Sequence, residues 1–475
     1  MDSQDNSKNF IKTLNLFDAT AIVAGAMIGS GIFIVSSGIA KDVQSASLLL
    51  LVWFVAGLMT IIGALCYGEY AASWPHAGGQ YVYIRKIWGE ISGFLYGWTL
   101  FLVIQTGAIA AVSIAFAQFL GILFPIISPS NQLFNFYNIS ISSQQLVAII
   151  LILFLTGINL RSVKLASSIQ NIVTVTNVLA LAGIIICGIL LGLKADIISA
   201  NFSNILSIPQ LDTNIYSAVG IGLVGSLFAF DGWNNLTFIA AEIKNTEKNL
   251  PLALLFGTGI VVILYLLTNL IYLSTLSLSD VQNAHNGIVG ATFMQGLFGI
   301  YGKIIISIII LIAAFGCVNS MVLAGPRVSY AMAKDGLFFK KLAVLGEKSK
   351  VPENALFLQC IWSIVLVMSG TFSQLLDYLI FAALLFYIMT IGGLFIFRKR
   401  YPDIPRPYKA LGYPYLPIIY CIIGIFIEIN LLIYRPLYTW PGLIIVLTGI
   451  PVYLLWKRMS KVDIPEITEE IQELD

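Results

Sequence analysis

The sequence predicts an all-α membrane protein of twelve transmembrane helices, and three observations predict it. Of its 475 residues, 58% are hydrophobic and only 11% are charged, whereas a soluble domain carries about 25% charged residues. Twelve apolar segments are long enough to cross a bilayer, which takes about 20 residues. Two of these segments, five spans apart, are interrupted at matching positions. We therefore expect a polytopic protein built from two repeats of opposite orientation.

The predicted spans are joined by short loops and form a single transmembrane domain. Spans 1 to 5 make up the first repeat, about 16–194, and spans 6 to 10 the second, about 214–397. Spans 11 and 12, about 413–457, lie outside the repeats. The twelve predicted spans are 16–39, 48–73, 90–121, 144–160, 167–194, 214–241, 250–275, 302–333, 354–371, 374–397, 413–434 and 438–457.

The placement of lysine and arginine predicts the orientation. Loops on the cytoplasmic side of a membrane protein are enriched in these residues. With the N-terminus inside, only Lys41, Lys194, Lys303 and Arg435, of 26 lysines and arginines, fall on the outer side. The opposite orientation would reverse this asymmetry. Both termini are therefore predicted to be cytoplasmic.

Span 1 is interrupted at Gly29-Ser30-Gly31. Glycine costs a helix about 1 kcal/mol relative to alanine, and unwound backbone inside a bilayer is tolerated only where protein or a water-filled cavity surrounds it. The N–H groups of Ser30, Gly31 and Ile32 would begin the outer half-helix and bind a carboxylate. The carbonyl of Met27 would accept from an ammonium group. The alternative is that the glycines only let helices pack closely.

Span 6 is interrupted in the run from Phe228 to Asn235. Its Asp231 is an acid at membrane depth, which by default indicates a functional site. Three roles stay open for it: attracting a cationic substrate, taking part in proton coupling, or capping the broken helix. Three roles are also open for the aromatic residues of the run: lining a pocket, gating it, or packing in the core. The candidate binding residues here are Phe228, Ala229, Phe230, Asp231 and Trp233.

Three further segments resemble one known family. Residues Tyr67–Tyr83 are similar to the loop after the second helix of the amino acid–polyamine–organocation superfamily. Residues Gly325–Gly336 resemble the end of its eighth helix, and Tyr401–Pro414 the loop before its eleventh. With the two interruptions, these segments cover almost the whole chain in the right order. The resemblance is strongest to the L-type amino acid transporters and their bacterial relatives.

The resemblance implies a LeuT-type fold of two inverted five-helix repeats, with helices 1 and 6 broken. It also implies that the carboxylate of the substrate binds the N–H groups of the first interruption. The amino group would bind the carbonyls of Met27, Phe228 and Asp231, and the ring of Phe228 would be a gate above the substrate.

One residue departs from this branch. A lysine often ends a Gln-x-x-x-Thr-x-x-Lys pattern in span 5, and here Asn177 stands in its place. Span 8 offers Asn319 and Ser320 near the same level, without the adjacent hydroxyls of a sodium site. We treat Asn177, Asn319 and Ser320 as the coupling or cation-site region. The alternative is that Asn177 only hydrogen-bonds the backbone of the first helix.

The sequence therefore predicts a secondary transporter of L-amino acids in the plasma membrane that works by alternating access. Neutral substrates and exchange are favoured, and the alternative is a proton-coupled symporter of cationic amino acids or polyamines. The sequence contains no phosphate loop, zinc pattern or nucleophile elbow, so we expect no enzyme activity, no cofactor and no metal. Nor do we expect a nucleic acid partner.

The predicted outer loop, 122–143, contains no cysteine. It cannot form the disulfide by which animal L-type transporters hold an accessory glycoprotein. The resemblance then favours a protein of the bacterial inner membrane that acts without a disulfide-linked subunit, with membrane lipid and a small amino acid as its partners.

Overall fold

The computed structural model describes residues 10–136, 139–203, 214–369 and 372–459. Most of these residues are helical, and ten helical segments among them are long and apolar enough to cross a membrane. Predicted spans 6 and 9 correspond to two shorter apolar helices, Ile215–Phe230 and Glu353–Ser369. The first of these is short because the helix ends at the interruption of span 6. The chain is therefore a multi-pass membrane protein.

The elements follow the predicted order. Residues 10–203 contain α1 (Leu16–Met27), α2 (Gly31–Val43), α3 (Ala46–Ser73), α4 (Gln80–Trp88), α5 (Glu90–Thr99), a π-helical turn (Leu100–Ile104), α6 (Gln105–Leu123), β1 (Gln132–Phe136), β2 (Ile139–Ser142), α7 (Ser143–Arg161), α8 (Val163–Cys187), a second π turn (Gly188–Gly192) and α9 (Ala195–Phe202). The remainder holds α10 (Ile215–Phe230), α11 (Asn235–Phe238), α12 (Thr246–Thr275), α13 (Leu278–Gln282), α14 (Val289–Ala324), α15 (Pro326–Lys334), α16 (Glu353–Ser369), α17 (Phe372–Arg400), α18 (Tyr415–Tyr434) and α19 (Pro436–Met459). Three short 3₁₀ turns lie at Ala240–Glu242, His285–Gly287 and Lys340–Ala343, and β1 pairs with β2 in an antiparallel hairpin.

Local sequence explains where the first helix begins. Asn15 caps α1, because its side chain accepts from the Asp18 N–H (2.9 Å) and Asp18 accepts from the Asn15 N–H (3.0 Å). This reciprocal pair satisfies two donors that a helix start leaves without partners. Just before it, Leu14 forms a parallel bridge with Ile243, which follows the inner part of span 6. The ends of the two interrupted spans are therefore joined at one end of the bundle.

Two buried ion pairs hold that end together. Glu242 accepts from the Arg327 guanidinium at 2.8 Å, and both side chains are buried. Glu69 accepts from Arg398 at 2.6 Å and from the Ala410 N–H at 2.7 Å. Removing one partner of a buried ion pair costs about 3–5 kcal/mol because it leaves an uncompensated charge. The first pair therefore joins the ends of spans 6 and 8, and the second joins the ends of spans 2 and 10.

The structure differs from the prediction at span 8. Helix α14 begins at Val289, well before residue 302, where the sequence predicted the span to begin. Two helical pieces meet there at Gly299, whose φ is 59°. The predicted span covered only the apolar piece that follows this kink, and it left out the helical piece before Gly299.

Candidate functional site

The interruption of span 1 contains three backbone donors that have no acceptor in the described part of the chain. Helix α1 ends at Met27 and α2 begins at Gly31. Within the break, the Gly29 N–H donates to the Met27 carbonyl at 2.9 Å. The N–H groups of Ser30, Gly31 and Ile32 have no acceptor among the described residues. Because they open a helix, the helix dipole adds to their affinity for an anion.

The two interruptions touch each other at Gly31. A Cβ atom built on Gly31 would lie 2.8 Å from the Cβ of Ala229 and 3.0 Å from its Cα. Such distances leave no room for a side chain. Glycine at this position therefore lets the start of α2 approach the end of α10 directly.

The interruption of span 6 also depends on a glycine. Helix α10 ends at Phe230 and α11 begins at Asn235. Gly232 has a φ of 97°, and a Cβ there would lie 3.1 Å from the Ala26 carbonyl oxygen. Residues other than glycine are strained in this region of φ and ψ. The break of span 6 is thereby held against the last turn of α1.

Asp231 occupies the break of span 6 and is held by a residue of span 10. One carboxylate oxygen accepts from the Tyr387 hydroxyl at 2.6 Å. The Tyr387 ring lies 5.5 Å from that of Trp233, which lies 4.8 Å from the ring of Tyr67. The Tyr387 hydroxyl therefore orients the Asp231 carboxylate beside an aromatic cluster.

Two cavities meet at this residue. The central cavity, about 640 Å³, is lined by both interruptions, by residues after the π turn of span 3, and by Cys317 and Met321 of α14. The side cavity, about 420 Å³, is lined mainly by aliphatic and aromatic side chains of α10 and α17, with Thr60 and Tyr420. Phe228, Asp231 and Tyr387 line both. The central cavity is therefore the space that the two breaks share.

Most of the predicted binding residues come together here. Met27, Gly29, Ser30, Gly31, Phe228, Ala229 and Asp231 line the central cavity, and Trp233 lines the side cavity. The ring of Phe230 packs in the core, 5.4 Å from Trp53 and 5.2 Å from Tyr265. The side chain of Ile32 is fully buried, so its predicted contribution is its backbone N–H.

The Met27 carbonyl is already occupied. It accepts from the Tyr265 hydroxyl at 2.9 Å as well as from the Gly29 N–H. A carbonyl oxygen has two lone pairs, so an ammonium group would compete for them. The Phe228 carbonyl accepts one bond, from the Asp231 N–H at 3.1 Å. Phe228 is therefore the more available acceptor of the two.

Sequence reasoning missed Gln105, Tyr265 and Tyr387. Gln105 lines the central cavity just after the π turn of span 3 and donates to the Met321 carbonyl at 3.0 Å. A polar side chain inside an apolar span was the available signal for each of these residues. The π turn itself, a feature frequent at functional sites, has no evident mark in the sequence.

In the predicted coupling region, Asn177 lies on the face of α8 that contacts the first helix. Thr174 donates to the Ala21 carbonyl at 2.8 Å, and Asn171 to the Asp18 carboxylate at 2.6 Å. In each of these two pairs the partners are 153 residues apart in the sequence. The same spacing places Asn177 opposite Ala24. Asn177 is buried, and within the described part of the chain neither of its side-chain polar atoms forms a hydrogen bond. The predicted bond to the first helix is therefore not seen there.

Asn319 and Ser320 take different places. Ser320 donates to the Ile22 carbonyl at 3.3 Å, one residue after the carbonyl that Thr174 contacts. Asn319 donates to the Gln170 side chain at 2.8 Å and accepts from Asn159 at 3.1 Å. Ser320 therefore contacts the first helix, whereas Asn319 belongs to an amide network between α7, α8 and α14.

Comparison with known proteins gives a family match over nearly the whole chain. Residues 14–454 match the family described as amino acid permease. The human Large neutral amino acids transporter small subunit 2 is 33% identical over 454 residues, which are 95% of this chain and 82% of that protein. The human Asc-type amino acid transporter 1 is 30% identical over 95% of this chain and 84% of its own. The mouse b(0,+)-type amino acid transporter 1 is 28% identical, over 94% and 88%.

Proposed function

The chain belongs to the amino acid permease family, and from that premise we propose that it is a secondary transporter of L-amino acids. The observation that supports this function most directly is the group of three N–H donors without an acceptor at Ser30, Gly31 and Ile32. They open onto a cavity shared by both interruptions. An α-carboxylate is the anion that such a helix start would bind in every amino acid.

The same cavity offers acceptors for the amino group. The Phe228 carbonyl and the Asp231 backbone lie at the end of α10, whose last turn contacts Gly31. The Met27 carbonyl can accept from the amino group only if its hydrogen bond with the Tyr265 hydroxyl or with the Gly29 N–H breaks. We therefore assign the amino group first to Phe228 and Asp231.

The side cavity supports neutral substrates. It adjoins the central cavity at Phe228, and Leu227, Leu379 and Leu384 contribute to an apolar wall. Such a wall favours an uncharged side chain, because burying a charge without a partner is costly. One relative supports this choice, since it is named for large neutral amino acids.

We further propose twelve spans in a LeuT-type arrangement, with both termini cytoplasmic in a bacterial inner membrane. Helices α10 and α16 supply the two spans that are shorter than the other ten. Exchange is favoured over proton symport because Asn177, which stands where the family often has a lysine, is buried and has no titratable group that could carry a proton. The absence of cysteine from the loop 122–143 supports transport without a disulfide-linked subunit.

Asp231 supports a second candidate, proton-coupled symport of cationic amino acids or polyamines. Its carboxylate lines both cavities and is held by a single side-chain hydrogen bond, from Tyr387. A cationic substrate group would then replace the tyrosine hydroxyl as the partner of the carboxylate.

Two measurements on the purified protein test the proposal. Thermal unfolding with each common amino acid identifies ligands, because a ligand that binds only the folded state raises the apparent stability by mass action. Counterflow in proteoliposomes then asks whether uptake needs internal amino acid. We expect neutral amino acids to stabilise the protein and to exchange. Stabilisation by no amino acid would contradict the proposed site, and uptake driven by a proton gradient alone would favour the second candidate.

A further inference from the structure

A network of side chains connects the break of span 6 with α17. Its centre is Gln80, the buried first residue of α4. The carbonyl oxygen Oε1 of Gln80 accepts from the Asn234 amide at 3.0 Å and from the Tyr96 hydroxyl at 3.0 Å. Its Nε2 donates to the Thr390 hydroxyl at 3.2 Å. One side chain therefore joins the break of span 6, α5 and α17.

The loop before α4 holds Gln80 against span 6. The Gly78 N–H donates to the Phe238 carbonyl at 2.9 Å, at the end of α11. Helix α4 begins two residues later, with Gln80 itself. Its partner Asn234 lies just before α11 and also lines the central cavity. Gln80 therefore binds a residue of the candidate site, although it is absent from the lining of both cavities.

Helix α17 is connected to the break of span 6 at two positions. First, Tyr387 donates to the Asp231 carboxylate at 2.6 Å. Second, Thr390 is linked to Asn234 through Gln80. Because Tyr387 and Thr390 are three residues apart, they lie on the same face of the helix. The two connections therefore fix one face of α17 against the break.

That face of α17 is a wall of the side cavity. Tyr387 lines the cavity, and Thr390 continues the same stripe of residues by about one helical turn. A shift of α17 at Thr390 would therefore move the wall relative to span 6 and change the width of the side cavity. The other residues of α17 in this wall precede Tyr387 at helical spacing: Leu379, Ile380, Ala383 and Leu384.

We propose that Gln80 is a positioning residue that sets the width of the side cavity and thereby the selectivity between large and small neutral substrates. It acts on the wall through Thr390 and on the break through Asn234, without touching the substrate. The side chain of leucine would extend into the side cavity, whereas the methyl group of alanine would end before its wall. This inference rests on the proposed function and deepens it with a residue outside both cavities.

The test compares the KM and the maximal rate of leucine and alanine exchange in proteoliposomes. Gln80→Leu removes the centre of the network, and Thr390→Val removes only its link to α17. We expect each variant to raise the leucine KM about three- to tenfold, the effect of losing one or two neutral hydrogen bonds, and to leave the alanine KM within about twofold. Thr390→Ser keeps the hydroxyl and should restore the leucine KM of the unaltered protein.

A matched control and a double variant separate positioning from a general loss of stability. Thr268 is also buried, but its hydroxyl donates to the carbonyl of Leu264 in its own helix, at 2.7 Å. Thr268→Val should therefore change neither KM. Combining Gln80→Leu with Thr390→Val should raise the leucine KM no further than Gln80→Leu alone, because both changes remove the same bond.

The outcomes distinguish this inference from the proposed function. Equal changes of the leucine and alanine KM in Thr390→Val would overturn the inference, because the network would then only stabilise the fold. An unchanged leucine KM in the same variant would overturn it as well, and this variant decides the question if Gln80→Leu does not fold. Absence of leucine exchange by the unaltered protein would instead overturn the proposed function, and this inference with it.

Discussion

The two interrupted helices meet at one cavity, but they are built differently. In span 1 the break exposes only backbone, and the neighbouring carbonyls are held by side chains of other helices: Thr174 on Ala21, Ser320 on Ile22, Cys317 on Ala26 and Tyr265 on Met27. In span 6 the break contains a carboxylate, Asp231, held by one hydroxyl from Tyr387. The first break is therefore fixed mainly through its backbone carbonyls, and the second through side chains, since Asn234 of that break also donates to Gln80 at 3.0 Å.

This difference assigns different parts of recognition to the two spans. Backbone N–H groups recognise a carboxylate, which all amino acids share, and cannot distinguish one side chain from another. In the proposed mode of binding, the substrate side chain extends towards Asp231, Trp233 and the wall of the side cavity. We therefore expect changes in span 1 to abolish transport of every substrate, and changes in span 6 to alter which substrates are transported.

The largest effect is expected from Gly31→Val. Its side chain would overlap Ala229, whose Cβ lies 2.8 Å from the built Cβ position, and overpacking of this kind costs about 1–3 kcal/mol or more. The two breaks would separate, so we expect uptake of all amino acids to fall below detection in proteoliposomes. Gly38→Val is the matched control, because it lies in the same helix with nothing within 4 Å of its Cβ position. Full transport by Gly31→Val would refute the assignment of the site.

A smaller loss is expected from Gly232→Ala. A positive φ costs a residue other than glycine about 1–3 kcal/mol, and the added methyl would also press on the Ala26 carbonyl. We expect roughly a tenfold drop in uptake, which corresponds to about 1.4 kcal/mol, together with a lower unfolding temperature. Gly259→Ala, in an open position of α12, should change neither. An unchanged unfolding temperature for Gly232→Ala would show that the second break does not require glycine at this position.

Asp231→Asn tests whether span 6 determines selectivity. The amide keeps the size of the carboxylate and can still accept from Tyr387, so we expect leucine exchange to stay within about threefold, the effect of losing part of one charge-assisted hydrogen bond. Competition by lysine and arginine is measured in the same assay. If the variant loses only the cationic substrates, the second candidate function replaces the first. If leucine exchange disappears, the carboxylate serves the amino group that all substrates share.

The sequence located both breaks because each has a local mark: Gly29 to Gly31 in one span and an acid beside a glycine in the other. The family resemblance was confirmed over residues 14–454. The partners that fix the breaks were not predictable in the same way. Tyr265 bonds Met27 across 238 residues and Tyr387 bonds Asp231 across 156, and hydropathy contains no information on such pairs. The kink at Gly299 was missed for a related reason, since one apolar run covers both helical pieces.

The smallest effect is expected where a side chain only supports the first break. The Cys317 thiol, which is a weak donor, lies 3.2 Å from the Ala26 carbonyl oxygen. The hydroxyl of Cys317→Ser keeps a donor for this carbonyl. We expect uptake to change by less than about twofold, because a neutral hydrogen bond contributes only about 0.5–1.5 kcal/mol.

The unaltered thiol gives a sharper readout, because Cys317 lines the central cavity beside Gly29. A transported amino acid should slow its reaction with N-ethylmaleimide, while Cys187, which is absent from that lining, should react at the same rate with and without substrate. Equal protection of both cysteines would mean that the substrate changes the whole bundle and not the space between the two breaks.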